Sequence, residues 1–456
     1  MEGLEVSEVR LSKVMKSSYS NRWDSTYFLK EFLTDEQKYY QWKSLSKLCY
    51  IKSGTTPKDR DENLKEGVIL LKTNDIRNNV LLHGSDYFYI DEKCNKAMAS
   101  SELKFGDVLI NIVGATTEVV GRVAFVPKDF PKANITQAMS YLRLKEKTIN
   151  PEILFLFLQT KYGINQTRRI TRPTGQYNIN NKELGSFKIP QFSSDFQSRI
   201  EQIVKSAHAK IAESKALYTE AEDALLSELG LKDWKSQKES VSIKSFSDFA
   251  KSGRLDSEYY QPKYDELEEK IKSFPHKTVA ELQLFNARGV QPDYVIDGTV
   301  SIVNSKHILE NGLDYENFEK TSLEFFNAND RAKIEKGDIL IYTTGANIGR
   351  TQSYLRSEEA LASNHVNILR LKEVNPIYAA LVLNSKIGRL QTEKFCTGSA
   401  QAELYPYDIE KFIIPFLPES SQSSIAEKIQ KSFSLHAESK RLLEQAKRMV
   451  EDEIEK

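Results

Sequence analysis

Between Lys161 and Lys182 the chain carries Lys161, Arg168, Arg169, Arg172 and Lys182 with no acidic residue among them. Tyr162, Asn165, Gln166, Thr171, Thr174, Gln176, Tyr177 and Asn178 are interleaved with these cations. Lysine and arginine hold phosphate, while Asn, Gln and Thr offer hydrogen bonds to the edges of bases. Taken alone, this stretch reads rather as a solvated surface loop. A second stretch, Lys394 to Gln401, offers Thr397, Gly398, Ser399, Ala400 and Gln401 at the corresponding place in the chain. Glycine permits close backbone approach there, and the Ser, Thr and Gln side chains supply hydrogen bonds. This polar, glycine-bearing counterpart in the second copy tips the reading towards function.

Two more polar segments occur twice. Lys72-Thr73-Asn74-Asp75-Ile76, followed by Arg77, matches Asn304-Ser305-Lys306-His307-Ile308, each behind an apolar run. Gly114-Ala115-Thr116-Thr117 matches Gly345-Ala346-Asn347-Ile348, and Gly121-Arg122 matches Gly349-Arg350. The frame residues persist between copies while the polar residues change. Two readers of different sequences would look so, and so would drifting surface loops. The candidate contact residues are Lys72, Thr73, Asn74, Arg77, Thr116, Thr117, Arg168, Arg169, Arg172, Thr174, Gln176 and Tyr177 in the first copy. In the second they are Ser305, Lys306, Asn347, Thr397, Ser399 and Gln401.

Signatures of catalysis are missing from the sequence. It holds no G-x-x-x-x-G-K-[ST] phosphate loop and no glycine-rich dinucleotide fingerprint. Asn375-Pro376-Ile377-Tyr378 is superficially like an adenine methyltransferase loop. Its partner copy reads Asn150-Pro151-Glu152-Ile153, and a helix start explains both. Glu102-Leu103-Lys104 has a nuclease-like spacing but no matching Pro-Asp before it. Asp107 and Asp338 stand in Gly-Asp turns, where a turn role is expected.

The elements that position these residues are also written twice. Arg22, Asp24, Ser25 and Tyr27 return as Arg254, Asp256, Ser257 and Tyr259. Leu142-Arg143-Leu144 returns as Leu369-Arg370-Leu371, and Ile189-Pro190 as Ile414-Pro415. The offset between copies drifts from 232 at Tyr27/Tyr259 to 225 at Pro190/Pro415, then holds at 225 through Ala212-Glu213-Ser214-Lys215 and Ala437-Glu438-Ser439-Lys440. Length changes therefore gather in the globular parts, as loops tolerate them cheaply. Val68–Leu71, Val108–Ile110, Arg122–Val126, Met139–Leu144 and Ile339–Ile341 read as strands, and Pro151–Tyr162 as a helix capped by Asn150.

From Phe196 to Leu229 there is no Pro or Gly, and Gly230 is a stop signal. Ile200, Val204, Ala207, Ile211, Ser214, Tyr218, Ala221, Leu225 and Leu229 fall at steps of three and four. Ile425, Ile429, Ser432, His436, Ser439, Leu443, Ala446, Val450 and Ile454 repeat that register. Two such seams predict an antiparallel coiled coil rather than two helices each packed on its own domain. The expected fold class is α+β: two tandem pseudo-repeat mixed domains joined by two long helices. The expected boundaries are 1–194, 195–232, 233–418 and 419–456.

The 456 residues balance 64 Lys plus Arg against 64 Asp plus Glu, which argues against a generic basic glue and leaves local patches open. Cys49, Cys94 and Cys396 are scattered and form no disulfide or zinc pattern, pointing to a reducing compartment. The N-terminus MEGLEVSEVR has no apolar segment, so a soluble cytoplasmic protein is expected.

The ordered set resembles the specificity subunit of Type I restriction-modification systems over essentially the whole chain. The resemblance rests on Arg254-Leu255-Asp256-Ser257-Glu258-Tyr259-Tyr260, the Gly-Asp strand with its Gly-Ala loop, and Thr397-Gly398-Ser399-Ala400-Gln401. It rests also on Ile-Pro followed by a long helix beginning near Gln197 and Gln422. It implies two target-recognition domains, each reading half of an interrupted duplex site. It implies helices that set the gap and dock two modification subunits bearing S-adenosylmethionine, with restriction subunits using ATP and Mg. No cofactor is expected in this chain. A helix of some 35 residues spans roughly 50 Å, about 15 base pairs, the scale of two half-sites and a gap. The alternative is a protein-interaction scaffold that binds no DNA.

Overall fold

A computed structural model describes residues 7–15, 22–58, 60–84, 86–146, 148–174, 176–236, 242–398 and 402–456. The chain divides into two compact units, Met1–Ala212 with Glu438–Lys456, and Glu213–Ala437. Compactness thus cuts both long helices in mid-course, whereas the expected boundaries follow the helix starts at Ser194 and Glu419.

In the first unit a five-stranded sheet runs Cys49–Ser53, Met139–Leu144, Val108–Asn111, Val123–Phe125, Asn79–Val80. Beside it lies a three-stranded sheet of Phe88–Ile90, Val68–Leu71 and Ala133–Ile135, the last two parallel. Val68–Leu71 is buried along its length, as a continuous apolar run requires. Ile69, Leu71, Leu109, Ala124 and Ile135 close the space between the sheets. The second unit repeats the plan. Gln283–Arg288, Val366–Leu371, Ile339–Tyr342 and Thr351–Ser353 form one sheet. Val300–Val303 runs parallel to Ala360–Ala362 in the other.

The long helices are Ser194–Glu228 and Glu419–Glu455. In the first unit Ile200, Val204, Ala446 and Val450 join one core, and Lys210 pairs with Glu438 at 2.9 Å. In the second, Ala221 and Leu225 pack with Ile425 and Ile429, and Lys428 pairs with Glu220 at 2.8 Å. Rising numbers oppose falling ones within each unit, so the pairing is antiparallel. The seam is the predicted one: Ile200, Ala207, Ser214, Ala221, Ser432, Ser439 and Ala446 are all buried. The first helix ends as Gly230 takes φ +60° and Leu231 donates its N–H to the Leu226 carbonyl at 2.7 Å.

Three local expectations are corrected. The helix read over Pro151–Tyr162 ends at Phe157, and a new one covers Lys161–Ile170. Thr160 forces the break: its hydroxyl donates to the Phe157 carbonyl at 2.6 Å and accepts the Gly163 N–H. Lys161–Lys182 is therefore not a loop: a helix to Ile170 is followed by the paired strands Arg172–Thr174 and Gln176–Asn178 and the start of the helix Asn181–Gly185. Asn150 occupies the cap position, but its side chain donates to Glu201 of the long helix at 2.8 Å instead of capping. Among the described residues no helix is long and apolar enough to cross a membrane.

Candidate nucleic-acid interface

Strand direction gathers the polar loops of each unit at one rim. In the first unit, Cys49–Ser53 and Val108–Asn111 flank Met139–Leu144 antiparallel, so their last residues lie beside its first. Gly54 N–H reaches the Met139 carbonyl at 3.2 Å, and Ile112 N–H reaches that of Ala138 at 2.9 Å. Thr136 N–H bonds the Leu71 carbonyl, and Thr55 N–H that of Ile135, each at 3.2 Å. The ribbon Arg172–Thr174/Gln176–Asn178 then pairs with Val113–Gly114. Asn111 ties in the remaining loop by donating Nδ2–H to the Thr73 carbonyl at 3.1 Å.

The second unit builds the same rim. Gly289 N–H bonds the Val366 carbonyl at 2.9 Å, Ser363 that of Val303 at 3.0 Å and Gly345 that of Ala402 at 3.0 Å. Thr397 and Glu403 exchange backbone bonds at 2.8 and 2.7 Å. A Cβ at Gly54 would lie 1.9 Å from the Ile135 carbonyl oxygen, and one at Gly289 2.0 Å from that of Ala362. Backbone crosses backbone there, so glycine is required in both copies.

The candidate residues separate by what they touch. Asn74, Arg77, Thr116, Thr117 and Asn347 are exposed at the rim, while Thr73, Ser305 and Thr397 are half-buried. Lys72 lays its ammonium 3.7 Å from the centre of the Phe88 ring. Lys306 is ion-paired with Glu319. Tyr177 packs against the core cluster of the first unit. Thr174 and Gln176 lie in the two strands of the ribbon, with side chains outside the described part, and Ser399 and Gln401 lie outside the described residues.

The three arginines expected to face phosphate are engaged within the domain. Arg168 pairs with Glu31 at 3.2 Å, and Arg169 donates Nε–H to the Tyr27 carbonyl at 3.0 Å while lying over that ring. Arg172 forms an ion pair with the buried Glu183. Arg169 is turned inward, Arg172 opens the ribbon strand with a third of its side chain exposed, and Arg168, half exposed, remains at the surface.

The repeated motifs explain how the rim is held. Arg22 grips Asp24 through Nε at 2.5 Å and Nη2 at 2.9 Å, and its Nη1 donates to the Ile170 carbonyl at 3.1 Å. Asp24 in turn accepts the Tyr27 N–H at 3.2 Å. Arg254, Asp256 and Tyr259 repeat the clamp on Phe395 and Cys396. It fixes the helix end from which each polar ribbon departs. The arginine partner holds Asp24 and Asp256 below the usual carboxylate range. Asp107 and Asp338 have the expected turn role: they accept N–H from Lys104 at 2.8 Å and Glu335 at 2.7 Å. Each is buried against Arg143 or Arg370.

Sequence reading missed several rim residues. Thr55, Gln137 and His365 are exposed there, and Tyr294 is 52 % exposed. The short polar inserts Thr136-Gln137-Ala138 and Ser363-Asn364-His365 between apolar strands were the available signal. Arg288 reads as an ordinary strand residue, yet it lies 4.4 Å over Tyr405 and donates to the Leu404 carbonyl at 2.9 Å. Among the described residues, Asn111 Oδ1, Arg172 Nε, Arg288 Nε, Thr343 Oγ1 and Thr344 Oγ1 are buried polar atoms without a partner at this rim. Unsatisfied buried groups cost energy and concentrate where a ligand or water completes them.

The chain belongs to the family described as Type I restriction modification DNA specificity domain, which matches residues 37–223 and 291–448. It is a DNA sequence-recognition subunit, and the scaffold reading is not favoured. No curated protein matched the sequence. Among solved structures, the Type I S subunit from M. genitalium aligns at 12% identity and TM-score 0.45, over 90% of this chain and 94% of that one. The HsdS subunit from Thermoanaerobacter tengcongensis aligns at 15% identity and TM-score 0.28, over 90% and 95%. A chain from a study of complex assembly and conformational transition of the type I R-M system aligns at 14% identity and TM-score 0.30, over 91% and 97%.

Proposed function

We propose that each unit reads one half of an interrupted duplex site with its loop rim. On this reading the paired helices set the unread gap and dock two modification subunits. Those subunits carry S-adenosylmethionine and methylate adenine, and restriction subunits add ATP- and Mg-dependent cleavage. This chain itself carries no catalysis and works in the cytoplasm. The observation that supports the reading is the rim built twice on one frame: Gly54 and Gly289 are shared, while Lys72 to Ile76 and Asn304 to Ile308 differ in their polar residues. A shared frame conserves geometry and variable polar groups change the bases contacted.

The test exchanges residues 1–194 for those of another such subunit and maps methylated adenines made by the assembled complex. One half of the methylated sequence is expected to change and the other to persist. A change in both halves, or in neither, contradicts the reading.

A further inference from the structure

The turns after Val68–Leu71 and Val300–Val303 are built alike. Thr73–Asp75 and Ser305–His307 each form one 3-10 turn. In each, the third residue accepts the backbone N–H of the residue just ahead of the turn. Lys72 donates to Asp75 Oδ2 at 2.7 Å, and Asn304 donates to His307 Nδ1 at 2.9 Å. The two anchors stand 232 residues apart, at equivalent places, and differ in type.

Each anchor works inside a network that leaves the turn's side chains at the rim. In the first unit Asn111 Nδ2 occupies the Thr73 carbonyl at 3.1 Å, and Arg77 Nε occupies that of Asn74 at 2.7 Å. Asn74 is exposed. In the second unit, accepting a backbone N–H at Nδ1 leaves the ring proton on Nε2. That nitrogen lies 3.1 Å from Glu319 Oε2 without a hydrogen bond, and the side chain is 2% exposed. Glu319 accepts from Asn304 Nδ2 at 2.8 Å and pairs with Lys306. Asn304 Oδ1 accepts the Tyr294 hydroxyl at 3.0 Å. The ring packs on Phe318, centroids 5.0 Å apart. Burial depresses the His307 pKa, which keeps the ring in the neutral form that can accept at Nδ1.

We propose that Asp75 and His307 are the positioning residues for sequence reading, each fixing the turn that discriminates bases in its own unit's half-site. The inference rests on the two-half reading above. An unanchored turn would lose order that binding must then restore, and a loosely held contact discriminates poorly. Neither anchor need touch DNA. Thr73 and Asn74, or Ser305 and Lys306, make the contact.

The test uses the complete chain assembled with its modification subunits. Methylation rates are measured on duplexes carrying the target and on duplexes with single changes in each half. His307→Leu removes the acceptor and the donor together. His307→Asn keeps an acceptor at the Nδ1 position. Asp75→Leu and Asp75→Asn form the matching pair. His307→Leu is expected to reduce discrimination at least tenfold in one half and to leave the other within about twofold. Asp75→Leu is expected to do the converse, and both Asn variants to stay within about threefold of the parent. Should a Leu variant fail to assemble, His307→Gln and Asp75→Ala, neither of which offers an acceptor at the anchor position, are expected to relax the same halves. Loss spread over both halves, or no loss in either, overturns the proposal while the 1–194 exchange still moves one half. If that exchange moves neither half, the two-half reading falls instead.

Discussion

Ser214 donates its hydroxyl to the Ser432 carbonyl at 2.7 Å, and Ser432 returns the bond to the Ser214 carbonyl at 2.7 Å. Such an exchange requires two small residues facing each other on antiparallel helices. In the first unit, Ser439 donates to the Ala207 carbonyl at 2.7 Å, with alanine where the other repeat has Ser432. Small side chains let the backbones approach, and the hydroxyls find acceptors without water. A larger residue at Ser214 must force the helices apart. Ser214→Leu is expected to cost about 1–3 kcal/mol by overpacking, while Ser214→Ala costs about 1 kcal/mol or less. Urea-unfolding midpoints of the two variants measure the difference, and equal midpoints would count against close packing here.

Glu455 accepts from Lys38 at 2.6 Å and pairs with Lys161 at 2.5 Å, next to the Tyr162 hydroxyl. The hydrogen bonds from Lys161 and Lys38 lower its pKa from 4.5 to about 2. A depressed carboxylate contributes stability above its unfolded pKa and loses it as pH falls through the folded one. The stability difference between the parent and Glu455→Gln should therefore be full above about pH 4.5 and vanish towards pH 2. Denaturation of both proteins across that window, with hydrogen exchange at the helix end Leu443–Glu455, reads it. A difference that grows on acidification contradicts the assignment.

Arg172 separates an internal from an external role for the basic run. Its guanidinium pairs with Glu183, whose side chain is 5% exposed. Arg172→Ala removes the charged partner of the buried Glu183, whose other oxygen accepts from Asn180 Nδ2 at 2.6 Å, and is expected to destabilise by about 1–3 kcal/mol. A residue serving only to hold phosphate would weaken DNA binding, flatten its salt dependence and leave stability unchanged. Thermal unfolding beside salt-titrated binding of the assembled complex tells the two apart.

The seam of the long helices was legible in the sequence because burial on a helix has a fixed period, and Ile200 to Leu229 keep it. The strand Val68–Leu71 was legible as an apolar run. The break at Thr160 was not, since a hydroxyl bond to Phe157 competes with helix continuation only in the packed domain. The internal partners of Arg168 and Arg169 were equally hidden: Glu31 and the Tyr27 carbonyl lie more than a hundred residues away in sequence, where no local pattern reveals them. The anchoring roles of Asp75 and His307 were not legible, because each bond depends on turn geometry rather than on residue type.

The spacing role of the helices has its own test. Matched insertions of about four residues, one helical turn, beside Ala212 and Ala437 preserve the facing of Ser214 and Ser432. They are expected to lengthen the tolerated gap by about one or two base pairs. An unchanged gap with methylation retained would assign spacing to something other than the helices.

The most direct measurement is a genome-wide map of methylated adenines in cells carrying the modification subunits with and without this chain. The account predicts one motif that depends on the chain: two short specified stretches separated by a constant number of unspecified base pairs. A continuous motif, or a methylation pattern unaltered when the chain is removed, would contradict it.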